Sequence, residues 1–387
     1  MKQLASLLLI CFTMNAMAQA PMVSIPFEKY GDHIIIKISV DDSEPLDFIF
    51  DTGDGITVLD EEVANRLELV KHKVILNEGT VSASLIKHNK VEINGFLMEK
   101  NIKVYSTNLN HLEISLGRDI DGIIGFDLLH HHTIRVDYDN GIMQIYDLGR
   151  FPVFGEPIPF KLNTSIPYIE GKVTLNNDET LEGTFFIMTG AGTTMDFNTP
   201  FAEDNDLIHK TGEHYSYFVK SISQVETKHY EGEVKSFAFG SETVNNLPIG
   251  ISQAKSGTQA HKKISGIIGN KLLSRYNITI DLPSKTLYLE KNKNFKEPYV
   301  VNCSGIDVQL SKDMKKVLIH QIIENSPAAN AGIMVDSEMV SIGGKPAVEL
   351  GLVAIRNMLK KPGETVDMVI KNESGEKKIS LELKSLL

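Results

Sequence analysis

The stretch Phe48-Ile49-Phe50-Asp51-Thr52-Gly53 decides how the chain is read. Three apolar residues suited to a strand deliver an acid straight into a turn built on threonine and glycine. In such a turn, backbone N–H groups and the hydroxyl can reach the carboxylate and hold it rigid. Alone, Asp-Thr-Gly is a short motif that many chains carry as a plain hydrogen-bonded turn. Its surroundings decide the matter.

Those surroundings repeat. Ile25-Pro26-Phe27 returns as Ile158-Pro159-Phe160, and the deciding stretch returns as Phe185-Phe186-Ile187-Met188-Thr189-Gly190. Asp121-Gly122-Ile123-Ile124-Gly125 returns as Ser265-Gly266-Ile267-Ile268-Gly269, with Leu128-Leu129 and Leu272-Leu273 following. Landmarks in one order, drifting only by short insertions, mark a duplicated unit. Each copy reads as mostly strand. Ile34 to Val40 is β-branched and apolar, and Thr133 to Tyr146 predicts a hairpin with a type I′ turn at Asn140-Gly141. Its counterpart, Asn277 to Leu289, turns through Pro283-Ser284-Lys285, and Asp60 is placed to cap a helix over 61–69. The fold class predicted is mainly β, with two tandem lobes facing each other across a cleft where a ligand would lie.

Motif and repeat together resemble the aspartic peptidases of the retropepsin and pepsin type, in the bacterial single-chain form with two fused lobes, over residues 21–295. The resemblance implies that each lobe lends one Asp-Thr-Gly turn to a shared site. There two aspartates share a proton and hold a water between them. One acts as base on the water, while the other, protonated, polarises the peptide carbonyl. Carried over, Asp51 is the catalytic carboxylate, and Thr52, Gly53, Thr189 and Gly190 support the two turns. Met188 stands where the second catalytic aspartate belongs, and a thioether neither takes nor gives a proton. Asp196 aligns with Leu59 rather than with Asp51, so it is no replacement. Asp54 stands where the family tends to a small residue, and either alters the electrostatics of Asp51 or points to solvent.

Three readings follow. The protein binds extended peptides without cutting them; or it hydrolyses them weakly with Asp51 alone as base; or two chains pair their first lobes and rebuild a symmetric Asp51 pair. The internal second lobe argues against the third. Flap candidates, which would close over the cleft, are Asn77 to Ser84 and Gly212 to Val219.

After a charged stretch from Lys291 to Lys296 the repeat ends. Ser326-Pro327-Ala328-Ala329 leads to Ala331-Gly332-Ile333, a short helix stopped by glycine, and Ser341-Ile342-Gly343-Gly344 precedes a helix over 353–359. Strands follow at 366–371 and 378–383, the last alternating cleanly. This segment resembles a bacterial PDZ domain, a small α+β module that binds an extended peptide as an added strand while a loop of N–H groups takes its carboxylate. By that resemblance Ser304-Gly305-Ile306-Asp307 is the loop and Val308 to Leu310 the pairing strand, making Gly305, Ile306 and Val308 the peptide-binding candidates. Asp307 is a poor neighbour for a carboxylate. The alternative is a domain that packs on the lobes and binds nothing.

The remaining features set bounds. Lys2, an apolar run from Leu4 to Phe12 and Ala16-Met17-Ala18 have the layout of a secretory signal peptide cleaved after Ala18, which predicts export to the periplasm or beyond. The expected division is 1–18 signal peptide, 19–150 first lobe, 151–297 second lobe and 298–387 PDZ domain. A net charge of −11 without basic runs argues against nucleic acid, and no later stretch is apolar for long enough to serve as a transmembrane anchor. The expected partners are peptides or unfolded protein segments. Cys303, the one cysteine after the signal, reads as a small buried residue. Consecutive His130, His131 and His132 point in different directions and make no metal site, and no cofactor motif is present.

Overall fold

A computed structural model describes residues 20–76, 81–220 and 225–387; the expected signal segment lies outside them. The architecture is mainly β. In the first half an eight-stranded sheet runs in the order Glu28–Tyr30, His33–Val40, β1 (Leu46–Phe50), β2 (Gly122–Ile124), Thr57–Asp60, Phe96–Thr107, Val81–Ile93 and Lys71–Leu76. The strand His33–Val40 buries Ile34, Ile35, Ile36, Ile38 and Val40, which explains its nearly continuous apolar run. Asp60 caps a helix over Glu61–Arg66 by accepting from the Glu62 and Val63 amides. That helix is shorter than expected because Glu68 turns left-handed (φ 54°). A second helix, α1 (Asn110–Leu116), ends on Gly117 at φ 81°.

The second half repeats the sheet strand for strand. Its order is Lys161–Asn163, Ile166–Thr174, β3 (Thr180–Met188), β6 (Gly266–Gly269), Met195–Phe197, Glu242–Ser252, β5 (Glu226–Phe239) and β4 (Tyr215–Lys220). In each copy the strand that delivers the Thr-Gly turn lies parallel to the Gly-Ile-Ile strand: Phe50 beside Ile124, and Ile187 beside Ile268. Repeated motifs thus occupy equivalent places.

A six-stranded sheet joins the halves through its central antiparallel pair, His132–Asp137 against Tyr276–Asp281, with Ile134 opposite Ile280 and Val136 opposite Ile278. Thr133 donates to Asp281 across this seam at 2.7 Å. Buried Arg135 is paired with Glu290 at 2.8 Å and lies 3.8 Å from the Phe154 ring centroid. One apolar core runs through both halves and this sheet. The turn expected at Asn140-Gly141 forms differently: only Gly141 has positive φ, and its N–H closes a longer loop on the Asp137 carbonyl. The reason lies at Tyr138, whose buried hydroxyl is held by Asn270 of the second half and whose ring meets Phe27 edge-on.

The last segment has its own core and sheet, ordered β7 (Ile306–Leu310), β8 (Val317–Ile322), Glu338–Ile342, Thr365–Asn372 and Gly375–Glu382. Ser326 caps the helix Pro327–Asn330, and Ile379, Leu381 and Leu383 point inward as the alternation predicted. The later helix, α2 (Ala347–Met358), starts earlier than expected and breaks at Gly351, φ 75°. Cys303 is a buried free thiol in this core.

Because the halves share one seam, Ile134→Ala should destabilise both at once. We expect a loss of about 2–5 kcal/mol in chemical denaturation, the usual cost of emptying a packed isoleucine site.

Candidate active site

The two Thr-Gly turns meet and bond reciprocally. Thr52 N–H donates to Thr189 Oγ1 (3.0 Å) and Thr189 N–H to Thr52 Oγ1 (3.1 Å). Each hydroxyl then donates across to the other strand, Thr52 to the Ile187 carbonyl (2.6 Å) and Thr189 to the Phe50 carbonyl (2.9 Å). Both threonines are fully buried. An unmade bond at such a place leaves a desolvated polar group, so the four bonds hold the turns in one mutual geometry.

This geometry fixes Asp51. Its Oδ1 accepts from Gly53 N–H of its own turn (2.7 Å) and from Gly190 N–H of the opposite turn (3.0 Å). Gly190 is required by contact: a Cβ there would stand 2.3 Å from Asp51 Cγ. The mirror relation holds for methionine. A Cβ on Gly53 would stand 2.2 Å from Met188 Cε, so Met188 lies over Gly53 as Asp51 lies over Gly190. All of Asp51, Thr52, Gly53, Met188, Thr189 and Gly190 therefore come together at one point.

Burial raises the Asp51 pKa, against the two glycine amides that favour its ionised form. Asp54 closes the same turn, its N–H donating to the Asp51 carbonyl at 3.1 Å, and its Oδ1 accepts from Ile56 N–H. Burial pushes the Asp54 carboxyl up to about 8, helped by the charges of Asp51 and Asp127. Both side chains keep some accessible surface, although protein surrounds them closely. Asp54 thus belongs to the electrostatics of Asp51. Asp196 lies elsewhere, taking bonds from Thr193 and Gln259 inside the second half.

His33 carried no signal in the sequence, yet it stands beside the second turn, its Nε2 3.4 Å from where a Cβ on Gly192 would sit, and burial lowers its pKa. Of the flap candidates, residues 77–80 lie outside the described residues, while Tyr215 to Val219 form most of β4. Among the described residues no group of histidine, cysteine or acidic side chains is arranged to hold a metal, the His130 to His132 run included.

In the PDZ-like segment the candidate groups are engaged internally. Asn302 Oδ1 accepts from Ser304 N–H and Gly305 N–H, both at 2.9 Å, and Ile306 N–H donates to Ser304 Oγ at 2.9 Å. Val308 O accepts from Arg356 at 2.7 Å.

Two segments of the chain match known protein families. Residues 36–128, which hold the Asp51 turn and the first Gly-Ile-Ile-Gly stretch, match the family model of aspartyl proteases, and residues 296–371 match that of PDZ domains. A probable CtpA-like serine protease of Staphylococcus haemolyticus is 26% identical over 157 residues, 40% of this chain and 30% of that protein. The chain thus matches less than a third of that relative's length. The crystal structure of the aspartic proteinase from Irpex lacteus aligns at 12% identity and a TM-score of 0.48, over 71% of this chain and 98% of that one. The chain carries a retropepsin-like aspartyl-protease segment and a C-terminal PDZ domain.

Two outcomes test the site. Thr52→Val keeps the shape but strands Thr189 N–H and the Ile187 carbonyl, and should cost about 2–5 kcal/mol in denaturant melts. Asp54 favours its protonated form when folded, so its contribution to stability is full below about pH 4 and is lost as pH rises toward 8. Asp54→Asn should therefore gain on the native chain by about 2–4 kcal/mol between pH 5 and pH 9, measured by thermal unfolding.

Proposed function

We propose that the protein is an exported aspartic-peptidase homologue that takes extended peptides in a cleft between its two lobes, with Asp51 as the carboxylate that activates water. The observation that carries this reading is Asp51 Oδ1, held by one N–H from each turn at 2.7 and 3.0 Å. Such a carboxylate is oriented for chemistry or recognition at the meeting of the lobes, and two bonds from rigid backbone leave its other oxygen to face a ligand. Export rests on the Lys2, Leu4–Phe12 and Ala16-Met17-Ala18 pattern.

In this reading Asp51 takes a proton from a water molecule as the water oxygen attacks the peptide carbonyl carbon. The same proton then passes to the leaving nitrogen as the carbon–nitrogen bond breaks. Met188 cannot supply the second proton that would reach the carbonyl oxygen. Losing a general acid typically costs about 10²–10⁴-fold in rate, so hydrolysis is slow by the standard of a two-carboxylate site.

A second reading is favoured by Met188 itself, whose side chain lies over Gly53 in the place a second carboxylate would take. Here the protein binds peptides and does not cut them. Pairing of first lobes from two chains has less support, since Thr52 already exchanges its bonds with Thr189 of the same chain.

Hydrolysis of a degenerate peptide library from about pH 3 to pH 8 tests these readings. The native chain should cleave slowly, Asp51→Asn should not cleave at all, and Met188→Asp should cleave about 10²-fold faster or more. No native cleavage beside an active Met188→Asp would identify an intact scaffold disabled at one residue and leave peptide binding as the function to pursue. Equal rates in the native chain and Asp51→Asn would refute a catalytic Asp51.

A further inference from the structure

A PDZ domain takes a peptide as a strand added to a free sheet edge beside a helix. Here that edge belongs to β7, which among the described residues pairs only with β8 at the end of its sheet, and the helix is α2. Ile319, opposite Val308, gives its N–H to the Ser337 carbonyl and accepts at its own carbonyl from Asp336 N–H, both on the far side. By the alternation of antiparallel pairing, Val308 O faces the free edge. It is an acceptor that an added strand would use.

The first half of the chain already occupies this edge. Helix α1 packs against β7. One nitrogen of Arg356, on α2, donates both to Val308 O and to the carbonyl of Ser115 in α1, each at 2.7 Å. Leu352 of α2 lies so close to Gly117, at the end of α1, that a Cβ there would stand 2.7 Å from its Cγ. The loop amides that would take a carboxylate are bonded to Asn302 and Ser304. Meanwhile β8 grips the second half: the Gln321 amide both accepts from Phe218 N–H (2.8 Å) and donates to the Phe218 carbonyl (2.7 Å) on β4. His320 stands 3.8 Å from Glu226 beside this contact.

We infer that the free edge of β7 with helix α2 is an interaction surface held in cis by α1, and that an extended polypeptide segment joins β7 only by displacing α1 and releasing the clasp between the two halves. Two-point bonding of Gln321 to an exposed strand and double use of one arginine nitrogen fit a domain seated as a clasp. An incoming strand offers its own N–H to Val308 O and so replaces Arg356 there. The clasp also reaches the site. Gly31 lies against Val353 of α2, and His33, two residues on, stands beside Gly192 in the turn whose Gly190 N–H holds Asp51.

The test uses the full chain with two variants, Arg356→Ala and Gln321→Ala, each first shown to be folded by thermal unfolding. Hydrogen exchange is followed in α1 and β4, and binding of unstructured fluorescent decapeptides, with free or amidated C-termini, is titrated. We expect Arg356→Ala to raise exchange in α1 and Gln321→Ala to raise it in β4, each about tenfold or more. Decapeptide affinity for Arg356→Ala should exceed that of the native chain by about tenfold or more, because α1 no longer competes. Bound decapeptide should itself raise exchange in α1. Unchanged exchange in both variants overturns the inference. So does equal decapeptide affinity in native and variant chains, including no binding to either, or binding that leaves α1 protected. None of these readouts depends on hydrolysis at Asp51.

Discussion

The reciprocal bonding of Thr52 and Thr189 is the constraint on which the rest of the site depends. Each threonine spends its hydroxyl and its amide on the other half, so neither turn satisfies its buried groups alone. The cost of leaving such groups unpaired couples the two halves more tightly than apolar contact would. Asp51 inherits its position from this lock, through Gly53 and Gly190. The lock involves neither the Asp51 side chain nor that of Met188. Catalytic chemistry can therefore change while the scaffold stays. A second carboxylate beside Asp51 would face both desolvation and repulsion, and the Met188 thioether faces neither.

Much of this was legible in the sequence because it rests on local pattern. The repeated Phe-Ile-Phe-Asp-Thr-Gly and Gly-Ile-Ile-Gly landmarks each encode a strand and the turn that ends it, and their matched order gives the duplication. The Asp60 cap and the alternation of Ile379, Leu381 and Leu383 are local in the same way. What escaped depends on partners far away in the chain. The turn after Asp137 departs from a type I′ hairpin because Tyr138 is claimed by Asn270 and Phe27. His33 reaches the second turn only in the folded chain, and Asp54 acquires its raised pKa from burial, helped by the charges of Asp51 and Asp127.

The PDZ domain shows the same limit from the other side. A strand over Ile306–Leu310 is legible in the sequence, but no local pattern says that Asn302 accepts from the Ser304 and Gly305 amides or that Arg356 reaches Val308 and Ser115 together. Arg356 is a long donor on a helix surface, and a sequence does not show which acceptors lie within its reach. The Arg356 contact to α1 and strand addition at β7 both draw on Val308 O, and the balance between them is set by the relative strength of the two contacts.

A crystal structure of the chain with a reduced-amide peptide, which cannot be hydrolysed, would show whether Asp51 faces a bound peptide. The peptide should lie extended between the two halves, its modified bond over Asp51 and Met188, with the Thr52–Thr189 lock unchanged. A peptide bound away from Asp51, or turns separated with Asp51 released from Gly190, would contradict this role for Asp51.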